Sequence, residues 1–193
     1  MILGITGGTG CGKTTLLTQI EKIGGLVLDC DAIYHQLLVT DKGLLNTIAA
    51  RFPGTVENGV LQRKKLGAIV FSDENALLSL NKITHSAVKK EVLCRLESNP
   101  ELAAIDAIAL FEGGLVELCD VTVAVTAPEE MRVKRLMARD GITEEYARNR
   151  IRAQHDESWF RQRCDYILEN NGTGIQFHEK CVAFLRELGI ISL

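Results

Sequence analysis

The chain alternates short apolar runs with longer segments of helical periodicity. Ile2 to Thr6 is apolar and stops at Gly7-Gly8-Thr9-Gly10, after which Leu16, Leu17, Ile20 and Ile23 recur at helical spacing until Gly24-Gly25. That pattern predicts strand, glycine loop and helix: apolar residues three and four apart line one helix face, whereas a short unbroken apolar run suits a buried strand. Leu26-Val27-Leu28 repeats the strand signal and ends at Asp29-Cys30-Asp31, so the first thirty residues read as a strand–helix–strand unit. From Ala32 to about Asn99 the pattern turns helical and more polar, broken at Phe52-Pro53-Gly54 and at Glu57-Asn58-Gly59, the latter a turn or hairpin signal.

Beyond that insertion, Ile105 to Phe111 and Val121 to Val125 predict two more buried strands. The first would end at Glu112-Gly113-Gly114, and the second at Thr126-Ala127-Pro128-Glu129, which combines a cap residue, an early-helix proline and a capping-box glutamate. Two arginine-rich helices follow, Glu129 to Arg139 and Thr143 to about Gln154, parted by Asp140-Gly141. Tyr166-Ile167-Leu168 predicts a fifth strand, Asn170-Asn171-Gly172 a turn, and Ile175 to Leu188 a closing amphipathic helix. Strands alternating with helices define the α/β class, with a parallel sheet covered on both faces.

Composition narrows the field. With 46% hydrophobic and 24% charged residues over 193 positions the chain should fold around one core. Its net charge of -3 gives it no reason to coat nucleic acid or an anionic membrane, so any anion it binds must be met by a local cluster. No apolar run approaches the length of a membrane helix, and Met1-Ile2-Leu3 enters Gly4 without a basic leader, which points to a cytoplasmic protein without signal or anchor. The six cysteines are scattered without a C-x-x-C pair, so they read as buried thiols of a reducing compartment rather than as a zinc or redox site.

The candidate chemistry starts at Gly7-x-x-x-x-Gly12-Lys13-Thr14, a full phosphate-loop pattern lying between a first strand and a first helix. Glycines let backbone N–H groups wrap a phosphate, and the positive end of the following helix faces the same anion. Gly8, Thr9, Gly10, Cys11, Gly12, Lys13, Thr14 and Thr15 are therefore the candidate nucleotide contacts, with Lys13 reaching the β- and γ-phosphates and the Thr14 hydroxyl taking one magnesium position. The loop alone does not choose between ATP and GTP, or between kinase and ATPase.

Asp29, Asp31 and Glu112 are expected at carboxyl ends of parallel strands, where ligands of such sheets bind. Asp31, further past its strand, is assigned the base for an attacking hydroxyl and Asp29 the metal side, against the plain alternative that both cap the next helix. Eight of the twelve arginines fall between Arg132 and Arg163. Arg135 and Arg139, four apart on one helix face, are the pair chosen for gripping phosphates, in a segment suited to a lid.

These residues together resemble a family. Thr6 to Thr14 followed by Asp29-Cys30-Asp31 is similar to the opening of bacterial dephospho-coenzyme A kinases. The likeness continues through Gly59 to Leu66 with Val70-Phe71, Leu80 to His85, Leu110-Phe111-Glu112, Arg135-Leu136 with Arg139-Asp140, Arg150-Ile151 with Gln154, and Asp165 to Asn170. The resemblance implies transfer of the ATP γ-phosphate to the ribose 3′-hydroxyl of dephospho-coenzyme A, with Mg2+. It implies a three-layer α/β/α P-loop kinase core with a five-stranded parallel sheet (residues 1–31, 100–135 and 164–193), a helical acceptor-binding insertion (32–99) and a helical lid (136–163). Lys13, Asp31 and Arg139 are the catalytic candidates; the resemblance implies Arg63 and His85 on the acceptor side with Asp31 and the strand-end Glu112, and Asn170 near the nucleotide base. The alternative kept open is another P-loop small-molecule or nucleotide kinase, since loop and fold do not select the acceptor.

Overall fold

The computed structural model describes residues 1–191; positions 192 and 193 of the expected core segment 164–193 lie outside the described residues. The chain divides into two compact units, one made of 1–27, 100–110 and 116–191, the other of 28–99 and 111–115.

A five-stranded parallel sheet organises the first unit: β1 (Ile2–Thr6), β2 (Leu26–Asp29), β5 (Ala103–Asp106), β6 (Val121–Thr126) and β7 (Tyr166–Glu169), in the order β2-β5-β1-β6-β7. β1 is central because it can be: Leu3, Gly4, Ile5 and Thr6 are all buried, so both of its faces and both of its edges are covered. Helix α1 (Lys13–Lys22) and helix α9 (Gly174–Glu187) seal one core, in which Leu3, Ile5, Leu16 and Ile20 meet Phe177, Cys181 and Phe184. Thr173 opens α9 with a reciprocal capping box to Gln176. A separate cluster of Val133, Leu136, Ala147 and Ile151 joins α6 (Glu129–Asp140) to α7 (Glu144–Arg152), and the short α8 (Glu157–Arg161) leads into β7.

One strand differs from its sequence reading. The apolar run Ile105 to Phe111 predicts a strand ending at Glu112, but β5 spans Ala103–Asp106 and the chain then turns through Ala107 to Gly114. Ala107 and Leu110 are buried on that turn, so the hydrophobic pattern outlasts the sheet. The carboxylate at the end of β5 is Asp106, whereas Glu112 is exposed within the turn.

The second unit is helical: α2 (Cys30–Thr40), α3 (Lys42–Arg51), α4 (Arg63–Val70) and the 23-residue α5 (Glu74–Leu96). Asp29, Asp41 and Asp73 cap α2, α3 and α5 with their carboxylates. A two-stranded hairpin, β3 (Val56–Glu57) and β4 (Val60–Leu61), turns at Asn58 and Gly59, whose φ angles of 51° and 74° are what a two-residue type I′ turn demands. All six cysteines are reduced thiols.

Candidate active site

The loop from Gly7 to Gly12 leaves the carboxyl end of β1 and delivers the chain to α1. Gly7, at φ 128°, would set a Cβ 2.2 Å from the Val125 carbonyl oxygen, and Gly12, at φ 98°, would set one 2.4 Å from Asn170 Nδ2, so neither admits a side chain. Gly12 is also the N-cap of α1 and brings no side-chain acceptor. The first N–H groups of the helix are thereby left open to an anion, with the positive end of the helix dipole behind them.

Four side chains from distant sequence fix the loop. Arg132 donates from Nε to the Thr9 carbonyl (2.9 Å) and from Nη2 to Gln154 Oε1 (3.0 Å), and that amide oxygen also accepts the Thr9 N–H (2.8 Å). Arg135 donates from Nη1 to the Gly10 carbonyl (3.1 Å) and from Nη2 to Asn170 Oδ1 (3.2 Å). Asn170, 4% exposed, donates its Nδ2–H to the Cys11 carbonyl (2.8 Å) and its backbone N–H to the Thr126 carbonyl (2.8 Å). In a trans peptide the C=O and the next N–H point opposite ways, so tying back the carbonyls of Thr9, Gly10 and Cys11 turns the N–H groups of Gly10, Cys11 and Gly12 the other way, that of Cys11 onto the Gly8 carbonyl at 3.3 Å.

Lys13 Nζ donates to the Gly7 carbonyl at 3.0 Å and lies 3.9 Å from Asp106 Oδ1. Asp106 pairs with Ile5 across the β1–β5 register, about 4.8 Å from β1 two residues before the loop begins. Thr14 is exposed in the first turn of α1, and Thr15 returns its N–H to the Gly12 carbonyl at 3.1 Å. Cys11 is buried, and burial pushes its thiol above the ordinary value by more than Arg132, Lys13 and Arg135 pull it down. It is a packing residue of the loop, not a nucleophile.

The structure separates the two arginines paired by spacing. Arg135 is on the loop, whereas Arg139 is exposed and grips Asp140 with Nε (2.7 Å) and Nη2 (3.0 Å), an Asp140 that Arg150 also contacts at 2.8 Å. These bonds, that from Arg139 first, hold the Asp140 carboxyl at about 2. Arg132 and Asp106 were not singled out by sequence reasoning, and Gln154 entered only among the residues of the family likeness, without a role. The one local signal for Arg132 is its position three residues before Arg135 on the same helix face.

The second unit holds the remaining candidates. Asp29 Oδ1 accepts the Ala32 N–H at 2.9 Å as the cap of α2, which leaves one oxygen of that carboxylate uncommitted to the cap. Asp31 is exposed in the first turn of α2. Arg63, the first residue of α4, sits with Nη2 3.3 Å from His35 Nδ1. His85 is half-buried midway along α5, and among the described residues no hydrogen bond or ion pair joins it to Arg63 or Asp31.

A clasped glycine loop at the carboxyl end of a central parallel strand, its lysine beside a strand-end carboxylate, defines a P-loop nucleotide-binding protein. A family model described as CoaE, dephospho-CoA kinase, matches residues 1–176. The dephospho-CoA kinase of Geobacillus kaustophilus is 34% identical over 193 residues, covering 97% of this chain and 96% of the relative. A crystal structure of TT1252 from Thermus thermophilus superposes with a TM-score of 0.81 at 35% identity, covering 97% of both chains. Dephospho-CoA kinase from Campylobacter jejuni does so at 0.68 and 26% identity, covering 97% and 96%. The chain belongs to the dephospho-CoA kinase family.

Proposed function

We propose that the protein transfers the γ-phosphoryl group of ATP to the ribose 3′-hydroxyl of dephospho-coenzyme A, giving coenzyme A and ADP, in the cytoplasm and with Mg2+. The observation that carries this reading is the clasp on the loop, whose carbonyls at Thr9, Gly10 and Cys11 are held back by Arg132, Arg135 and Asn170, which turns the N–H groups of Gly10 and Gly12 away from the clasp, where they serve an anion.

In this reading Gly8 to Thr15 hold the β- and γ-phosphates and Lys13 trades its loop carbonyl for phosphate oxygens. The acceptor oxygen bonds to the γ-phosphorus as the bond to the bridging oxygen of ADP breaks, and the hydroxyl proton passes to Asp31. Arg135 keeps the loop rigid while its charge faces the phosphates. Arg139, one turn further along α6, takes a catalytic part by exchanging Asp140 for phosphate oxygens, within a lid of residues 136–163. Residues 1–31, 100–135 and 164–193 serve the nucleotide, and residues 32–99, with Arg63 and His85, serve the acceptor together with Glu112.

The Thr14 hydroxyl and the carboxylates of Asp106 and Asp29 are hard oxygen donors, the kind Mg2+ takes alongside water and phosphate. Such a site needs no protein cage, and among the described residues no group of three or more His, Cys, Asp or Glu forms one. Bound there, Mg2+ supplies charge neutralisation on the phosphate oxygens. ATP and dephospho-coenzyme A are the partners, and nucleic acid and membrane are not; no helix among the described residues is long and apolar enough to cross a membrane.

The test is ADP release with Mg2+, ATP and a panel of dephospho-coenzyme A, adenosine, shikimate and nucleoside monophosphates. Turnover confined to dephospho-coenzyme A supports the reading, and the residual activity of Asp31→Asn bounds what proton acceptance contributes. Turnover on another panel member alone overturns the acceptor and keeps the kinase.

A further inference from the structure

The second unit carries an apolar hollow of about 190 Å³ whose wall includes Tyr34, His35, Leu38, Arg63, Leu66 and Phe71. Phe71 is 85% exposed, a large ring that is not spent on the core. Gly67 lines the same hollow from the middle of α4, where a glycine costs about 1 kcal/mol relative to alanine. It has no positive φ to justify it, and a Cβ there would meet the Phe71 ring at 3.5 Å, an ordinary contact. The helix therefore forgoes a methyl group at a place that could hold one without strain. What the glycine provides is a flat shelf beneath an exposed ring.

The hollow has a fixed relation to Asp31. Residues 31, 34, 35 and 38 share one face of α2, so Tyr34 and His35 stand about 4.5–6 Å along the helix axis from Asp31. In a nucleotide acceptor the group one sugar ring away from the 3′-hydroxyl is the base, while the 5′-phosphates and whatever they carry lead off from another corner of the ribose. The volume is too small for a whole acceptor, which needs about 300 Å³ or more, but suits one flat ring. Aromatic edges and an apolar floor match a base, and the Arg63 guanidinium at the rim matches the phosphates next to it.

We propose that this hollow binds the adenine of the acceptor, stacked against Phe71 over the shelf at Gly67, and so selects acceptors by their base. The inference rests on dephospho-coenzyme A being the acceptor and on Asp31 meeting its 3′-hydroxyl. Its test uses the full-length protein with Phe71→Ala and Gly67→Ala. Both variants should raise KM for dephospho-coenzyme A about tenfold while KM for ATP stays put and kcat changes less than twofold. Gly67→Ala should melt no lower than the parent, which removes misfolding as an explanation. Adenosine 5′-monophosphate, which has the base but not the pantetheine arm, should compete with dephospho-coenzyme A at saturating ATP, with a Ki raised by the same factor in both variants. An unchanged KM in Gly67→Ala and Phe71→Ala would overturn the proposal. So would a Ki for adenosine 5′-monophosphate that ignores both substitutions, since the arm and not the base would then occupy the hollow. Absence of parent turnover on dephospho-coenzyme A would instead sink the acceptor assignment itself.

Discussion

The two units differ in what they hold in place before any ligand arrives. Around the phosphate loop, cations and an amide are half-buried or buried and bonded to backbone carbonyls, so the positive field is fixed before any ligand arrives. In the helical unit, the candidate surface is an exposed ring, an apolar floor and one arginine, with few polar bonds to hold anything in advance. Phosphate is small, symmetric and charged, and pre-aimed dipoles bind it best because they need no reorganisation. An organic acceptor offers flat apolar faces, which shape and burial discriminate. Rigidity on one side and surface complementarity on the other therefore follow from the chemistry of the ligands.

The contrast is sharpest at Lys13. Lys13→Ala should lower kcat by about three orders of magnitude through loss of charge on the transferred phosphate, yet leave dephospho-coenzyme A affinity within twofold in a direct binding measurement. A large loss of acceptor affinity would erase the division of labour. Asn170→Ala should come next: it strips the Cys11 carbonyl and Arg135 of a buried partner, lowering stability by about 1–3 kcal/mol in denaturant unfolding and raising KM for ATP several-fold. The smallest effect belongs to Asp140→Asn. The Asp140 carboxyl is held at about 2 by Arg139, below its ordinary 3.8. A depressed carboxylate contributes stability that is complete above about pH 4 and is lost as pH falls through about 2. The variant should therefore melt slightly lower than the parent at pH 7 and converge with it near pH 2, and its freed Arg139 should lower KM for ATP if that side chain serves phosphate.

Local features were legible in the sequence and distant ones were not. The loop and the Asn58-Gly59 turn are written in contiguous residues whose backbone angles only certain side chains allow, but the capping box expected at Thr126–Glu129 does not form: Thr126 is still in β6, Pro128 is the N-cap of α6, and no side chain caps that helix. The clasp joins residues more than 120 positions apart, Arg132 to Thr9 and Asn170 to Cys11, and no periodicity records such a meeting. Asp106 escaped for a different reason. Buried Ala107 and Leu110 extend the hydrophobic run past the end of β5, so the strand-end carboxylate is read as strand interior and the role passes to Glu112. Arg139 was preferred to Arg132 because spacing on a helix shows which residues share a face, not which turn of that face meets the loop.

The central position of β1 bears on how the chain is made. Residues 2–6 leave the ribosome about a hundred residues ahead of their partners, Ala103–Asp106 and Val121–Thr126. At about 5–20 residues per second, the strand that carries the phosphate loop waits roughly 6–24 s for its second neighbour. The helical segment 28–99 is complete well before that. The helical unit is thus available to fold while the strand that carries the phosphate loop is still unpaired, apolar and in need of protection.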